Sequence, residues 1–127
     1  MPLTFSLLEE TFAVSRLDPT DAVPTWAISG AFFTVSRSSD ELSVLCEADL
    51  VPPDVRSEGG WRALKLHGPF DFALTGVLAS ILAPLAQAGV GIFAVSTFDT
   101  DFILVKAERL DDALSALQSA GHALARR

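Results

Sequence analysis

Between Asp71 and Asp99 the chain carries no charged side chain, and that stretch restricts the fold more than any other feature. Phe72 to Phe98 is long enough to cross a bilayer. Ser80, Pro84, Gln87 and the Gly89-Val90-Gly91 break interrupt it, however, and its flanks are acidic where a spanning segment usually has basic anchors. The better account is a buried helix followed by a buried strand, with no membrane partner. Leu74, Val77, Leu78, Ile81, Leu82 and Leu85 recur at spacings of three and four, which gives the helix one apolar face. Asp71 is placed to cap its start. Pro84 should kink it by removing a backbone hydrogen bond, and Gly89 should end it.

The flanks extend this into a pattern. Trp61 to His67 alternates apolar and polar side chains like a half-buried strand. Gly91 to Thr97 reads as a second strand, Asp99-Thr100 as a tight turn and Phe102 to Ala107 as a third strand. Leu110, Ala113, Leu114 and Leu117 mark a second amphipathic helix that stops at Gly121. The order β-α-β-β-α begins a ferredoxin-like α+β sandwich, an antiparallel sheet with helices on one face. A fourth strand has room to begin only near Ala123. Slid by sixty positions, Phe33, Val35 and Ser36 fall on Phe93, Val95 and Ser96, and Pro24 falls on Pro84. The first half therefore reads as a reduced copy, with a short helix between Asp18 and Ile28. Val51 to Gly60 reads as a linker. The expected division is a reduced N-terminal unit over residues 1–57 and a full unit over 58–127.

At 127 residues and 50% hydrophobic composition, the chain has enough material for a packed core. Its formal net charge of -7 and lack of basic clusters argue against nucleic acid as a partner. The single cysteine, Cys46, cannot form an internal disulfide and reads as a small core residue. The N-terminal stretch has no basic start or long apolar core, with Glu9 and Glu10 interrupting it, so a cytoplasmic location is expected.

Residues that could support catalysis are sparse. There are two histidines, His67 and His122, both expected at the surface, and no tyrosine. No nucleophile elbow or phosphate loop occurs. Asp99 and Asp101 are not followed by further ligands at metal-binding spacing, so neither metal nor cofactor is expected. Two segments stand out. Ser96-Thr-Phe-Asp-Thr-Asp-Phe-Ile-Leu-Val105 is a polar hairpin turn between buried strands, of functional interest or merely a turn. In the Gly68 to Gly76 loop, Gly76 falls in a helix's first turn, where glycine costs ~1 kcal/mol relative to alanine. Close approach of a ligand or plain helix-to-sheet packing would each explain it.

Trp61-Arg-Ala-Leu, Thr75-Gly-Val-Leu, Ala83-Pro-Leu-Ala and the Ser96–Val105 motif resemble the ACT-type repeats of the CASTOR arginine-sensor family and its small bacterial relatives. Phe32-Phe-Thr-Val-Ser-Arg and Asp40-Glu-Leu-Ser-Val resemble the preceding half-unit, so the likeness runs from about Phe12 to Leu110. Related ACT domains regulate aspartate kinase. The resemblance implies tandem ACT-like βαββαβ units and a ligand held between units. One wall would be Phe70, Phe72, Leu74, Thr75 and Gly76, another Gly91 and Ile92, and a third Thr97, Phe98 and Asp101. Ala73 and Leu74 stand where the family sensor has acidic residues, which argues against arginine as the ligand. That sensor carries twice as many units in one chain, so a homodimer is expected here.

These readings converge on a non-enzymatic amino-acid sensor that acts by allosteric population shift on an unknown protein partner. The alternative is an ACT-fold dimerisation or protein-interaction module without a ligand.

Overall fold

A computed structural model describes residues 2–71 and 76–125 of the chain. Its strands are β1 (Thr4–Leu17), β2 (Thr34–Arg37), β3 (Leu42–Glu47), β4 (Ser57–Leu66), β5 (Ile92–Ser96), β6 (Asp101–Lys106) and β7 (Ala123–Leu124). The helices are α1 (Val77–Gln87) and α2 (Leu110–Ser119). The chain forms two compact units, one of them discontinuous: Met1–Glu9 with Arg62–Arg127, and Glu10–Trp61. Both β1 and β4 run from one unit into the other.

In the discontinuous unit the strand order is β7-β1-β4-β6-β5, a ferredoxin-like α+β sandwich. Val77, Ile81 and Leu85 of α1 and Ala113 and Leu117 of α2 pack on Phe5, Leu64, Leu66, Ile103 and Val105 of the sheet. The spacing of three and four along α1 is therefore the buried face that the sequence suggests. The hairpin β5–β6 is antiparallel, pairing Ile92 with Val105 and Ser96 with Asp101.

The N-terminal strand is the feature that periodicity does not reveal. Its first residues lie between β4 and β7, and β7 is a two-residue strand that pairs with it in parallel. The strand expected near Ala123 thus forms at the sheet edge, and β1 occupies the place beside β4. Phe5 brings its ring into the core there and is fully buried.

Both helices end in the same way. After α1, Gly89 has φ 71°, its N–H donates to the Ala86 carbonyl and that of Val90 to the Leu85 carbonyl. After α2, Gly121 has φ 96°, its N–H donates to Gln118 and that of His122 to Leu117. Glycine adopts this left-handed conformation without a Cβ clash, which is why the periodic segments stop there. Arg109 adds hydrogen bonds to the Ala88 and Gly89 carbonyls at the end of α1.

The continuous unit has the strand order β2-β3-β1-β4. β3 pairs antiparallel with both β1 and β2, in registers that include Val14 with Leu45 and Val35 with Val44. A four-residue 3-10 turn, Thr25–Ile28, replaces a helix, consistent with the prolines on its N-terminal side. β4 begins at Ser57, inside the stretch expected to be a linker. The glycines that suggest a loop are part of the strand, and Gly60 takes φ 76° there. Cys46 is fully buried beside Ala27 and Val44.

Burial raises the Cys46 thiol above its usual pKa. The unfolded chain therefore loses that proton first, so this group's contribution to stability falls as pH rises through the thiol range. Iodoacetamide labelling of the native protein should be suppressed at least a hundredfold relative to the urea-unfolded chain, in proportion to the small unfolded population. Labelling at equal rates in both states would show that the thiol is not buried.

Among the described residues no helix is long and apolar enough to cross a membrane.

Candidate functional site

A cavity of about 280 Å³ opens where the N-terminus of α1 meets the β5–β6 turn. Five of the residues expected at a ligand site come together in it: Phe70, Gly76, Thr97, Phe98 and Asp101. Phe72, Leu74 and Thr75, together with Ala73, lie outside the described residues. Gly91 and Ile92 do not line the cavity. Ile92 opens β5 and Ser96 closes it, a separation of ~13 Å along an extended strand.

The turn is fixed by its own polar groups. The Thr97 N–H donates to the Thr100 carbonyl at 2.8 Å, and the Thr97 hydroxyl donates to the same oxygen at 3.1 Å. Thr100 is buried, and its hydroxyl donates to the Leu66 carbonyl at 2.7 Å, which ties the turn to the end of β4. The Phe70 N–H donates to the Asp99 carbonyl at 2.8 Å. Ser96 Oγ donates to Asp101 Oδ1, so the carboxylate is oriented from the facing strand of the hairpin. Phe98 projects from the tip and is 80% exposed.

The opposite wall is the start of α1. Gly76 precedes the helix with φ 83°, as its N-cap rather than a residue of its first turn. Glycine has no side chain with which to satisfy the first helical amides, and Val77, Leu78 and Ala79 all line the cavity. Amides at a helix start favour negative charge. The cavity therefore combines an anion-favouring wall with the Asp101 carboxylate. A Cβ on Gly76 would meet open space, so the glycine is required by its backbone conformation and not by close packing.

Two site features escape a reading of residues taken singly. Thr100 reads only as part of a turn, although it is the residue that anchors the turn to β4. Its hydroxyl partner is 34 positions away, beyond the reach of local pattern. The amides of Val77 to Ala79 carry no side-chain signature at all. Of the histidines, His67 is exposed and hydrogen-bonds Ser6, whereas His122 is only 5% exposed. The surface expectation for His122 is thus corrected. Its ring is held between the Leu3 N–H and the Ser80 carbonyl, and the chain reversal after α2 turns it inward. Among the described residues no cluster of His, Cys, Asp or Glu is arranged to hold a metal ion.

Known proteins resemble this chain at several levels. A family model described as "ACT domain" matches residues 56–119, and a second, described as an N-terminal domain, matches residues 10–54. The cytosolic arginine sensor for mTORC1 subunit 1 of Bos taurus is 31% identical over 96 residues, covering 69% of this chain and 29% of the sensor. The chain thus spans about a third of the length of the curated sensors it matches. A crystal structure of an Agobacterium tumefaciens protein superposes with a TM-score of 0.93 at 40% identity, covering 98% of this chain and 93% of that one. The regulatory subunit of aspartate kinase from Thermus thermophilus shares the fold at a TM-score of 0.62 and 13% identity, covering 91% and 95% of the two chains. With the sandwich, the helix-start cavity and the matched segment all in one unit, the chain belongs to the ACT domain family.

Proposed function

We propose that the chain is a non-catalytic regulatory module that binds a free amino acid in the cavity at the start of α1. One observation carries this reading: Val77, Leu78 and Ala79, the first residues of α1, line one small cavity together with Asp101. A free amino acid carries a carboxylate for the former and an ammonium for the latter. Thr97 supplies a hydroxyl, and Phe70 and Phe98 supply apolar surface for a side chain. Family membership supports an amino-acid ligand over other zwitterions. The cavity is open, so ligand retention in this reading requires a second copy closing over Phe98, and a homodimer is part of the proposal. Ligand then favours one arrangement of the copies, which a partner protein in the cytoplasm reads.

A thermal-shift screen of the twenty common amino acids tests it. At about a hundred times Kd a ligand adds ~2.7 kcal/mol, which for a chain of this size is roughly 8–15 °C in Tm. At least one amino acid should give such a shift, and Asp101→Ala should remove it while leaving the ligand-free Tm nearly unchanged. A shift that survives Asp101→Ala would place the ligand elsewhere. With no shift from any amino acid, and a dimer by light scattering, the ligand-free dimerisation reading replaces this one.

A further inference from the structure

Gly68 stands where the chain leaves β4 and passes the β5–β6 turn, and its own backbone does not require a glycine. Its φ lies outside the left-handed region, so residues with a side chain can take its conformation. It is exposed, so core packing does not select for a small residue either. What excludes a side chain is the turn. A Cβ at position 68 would stand 2.6 Å from the Asp99 carbonyl oxygen, 3.1 Å from the Phe70 nitrogen and 3.3 Å from Phe70 Cδ2. The two nearest are backbone atoms, which cannot swing aside as the end of a long side chain can. Gly59 is the contrast: a Cβ there would meet only Ala13 Cβ, at an ordinary 3.9 Å.

The close approach at Gly68 falls on the seam between two walls of the cavity at the start of α1. On one side of it the Phe70 N–H donates to the Asp99 carbonyl at 2.8 Å. On the other the Thr100 hydroxyl donates to the Leu66 carbonyl at 2.7 Å. Phe70, Asp99 and Thr100 all line the cavity, and so does Asp101 just beyond them. Ordinary contact begins near 3.4 Å and the Cβ would start at 2.6 Å, so a methyl group at position 68 has to drive the carbonyl back by about 0.8 Å. A retreat of that size takes the Phe70 bond out of hydrogen-bonding range. It also exceeds the ~0.5 Å within which the groups of a binding site have to be held.

We propose that Gly68 is a positioning residue for ligand binding. Its missing side chain lets the backbone of the β5–β6 turn seat directly on the loop after β4, and this contact sets the spacing between Phe70 and Asp101 across the cavity. Gly68 itself does not line the cavity and acts only through the turn it admits. This role rests on the reading of that cavity as an amino-acid site.

Gly68→Ala and Gly59→Ala, the same chemical change at a tight and a roomy position, are compared with the unmodified full chain in two measurements. The first needs no ligand and follows amide hydrogen exchange by nuclear magnetic resonance. In Gly68→Ala the Phe70 amide should exchange at least ~10-fold faster, a larger change than at the core amides of Leu64 and Ile103. Gly59→Ala should leave the Phe70 amide as it is. The second measurement is the Kd, by titration calorimetry, of whichever common amino acid most raises the Tm of the unmodified protein. Gly68→Ala should raise that Kd at least ~10-fold and Gly59→Ala by less than about twofold. A glycine that serves stability alone would lower Tm on substitution and leave Kd where it was, and that result overturns the proposal. An unchanged Phe70 amide overturns it as well. If the unmodified protein binds no amino acid, the ligand reading itself has failed, and the role given to Gly68 falls with it whatever the Phe70 amide does. Should Gly68→Ala not fold, Thr100→Val removes the other tie across the same seam and carries both expectations.

Discussion

Replacing Phe5 by alanine is expected to remove about 3–5 kcal/mol of stability, the range for truncating a fully buried aromatic. Phe5 is fully buried and packs in the core with Leu64, Leu66, Ile81, Leu85 and Ile103. The loss combines the ring's transfer back to water with the cavity left behind, because the surrounding side chains relax only in part. At roughly 3–6 °C per kcal/mol for a chain of this length, Tm should fall by about 10–25 °C. Thr4→Ala, an exposed neighbour on the same strand, should cost less than about 1 kcal/mol. Urea unfolding of the two variants beside the unmodified protein provides the comparison. Equal losses at both positions would mean that the strand's packing is not specific to Phe5, and the place assigned to β1 would then be wrong.

This strand also shows where sequence reading stops. α1 is legible because its apolar residues keep one period and face one sheet. In β1 the buried positions go from Phe5 alone to a mix of both parities, Phe12, Ala13 and Ser15, and that change comes as the strand passes from one unit into the other. No single alternation survives that change, and Glu9 and Glu10 sit in the middle. The hairpin turn at Thr97–Asp101 is legible because polar residues between two apolar strands leave few choices. Gly91 and Ile92 enter the expected site by family likeness alone, and they stand at the other end of β5.

The pairing of Pro84 with His122 gives the second large effect. Proline at position 84 lacks the N–H that would donate to the Ser80 carbonyl four residues earlier, which is the ground for expecting a kink. The helix runs on to Gln87, and the Ser80 carbonyl accepts from His122 Nε2 at 2.9 Å. The other ring nitrogen, Nδ1, accepts from the Leu3 N–H at 3.1 Å, which assigns the proton to Nε2. One buried imidazole therefore replaces the helix hydrogen bond that proline removes and also ties β1 to the end of α2. His122→Phe keeps most of the volume but withdraws both partners, so it should cost about 1–3 kcal/mol for each group left unsatisfied. In a Pro84→Ala background the backbone N–H restored at position 84 can reach the Ser80 carbonyl, and His122→Phe should then strand only the Leu3 N–H. A double-mutant cycle by urea unfolding should accordingly give a coupling of about 0.5–3 kcal/mol between positions 84 and 122. Strict additivity would show that the histidine does not substitute for the missing helix bond.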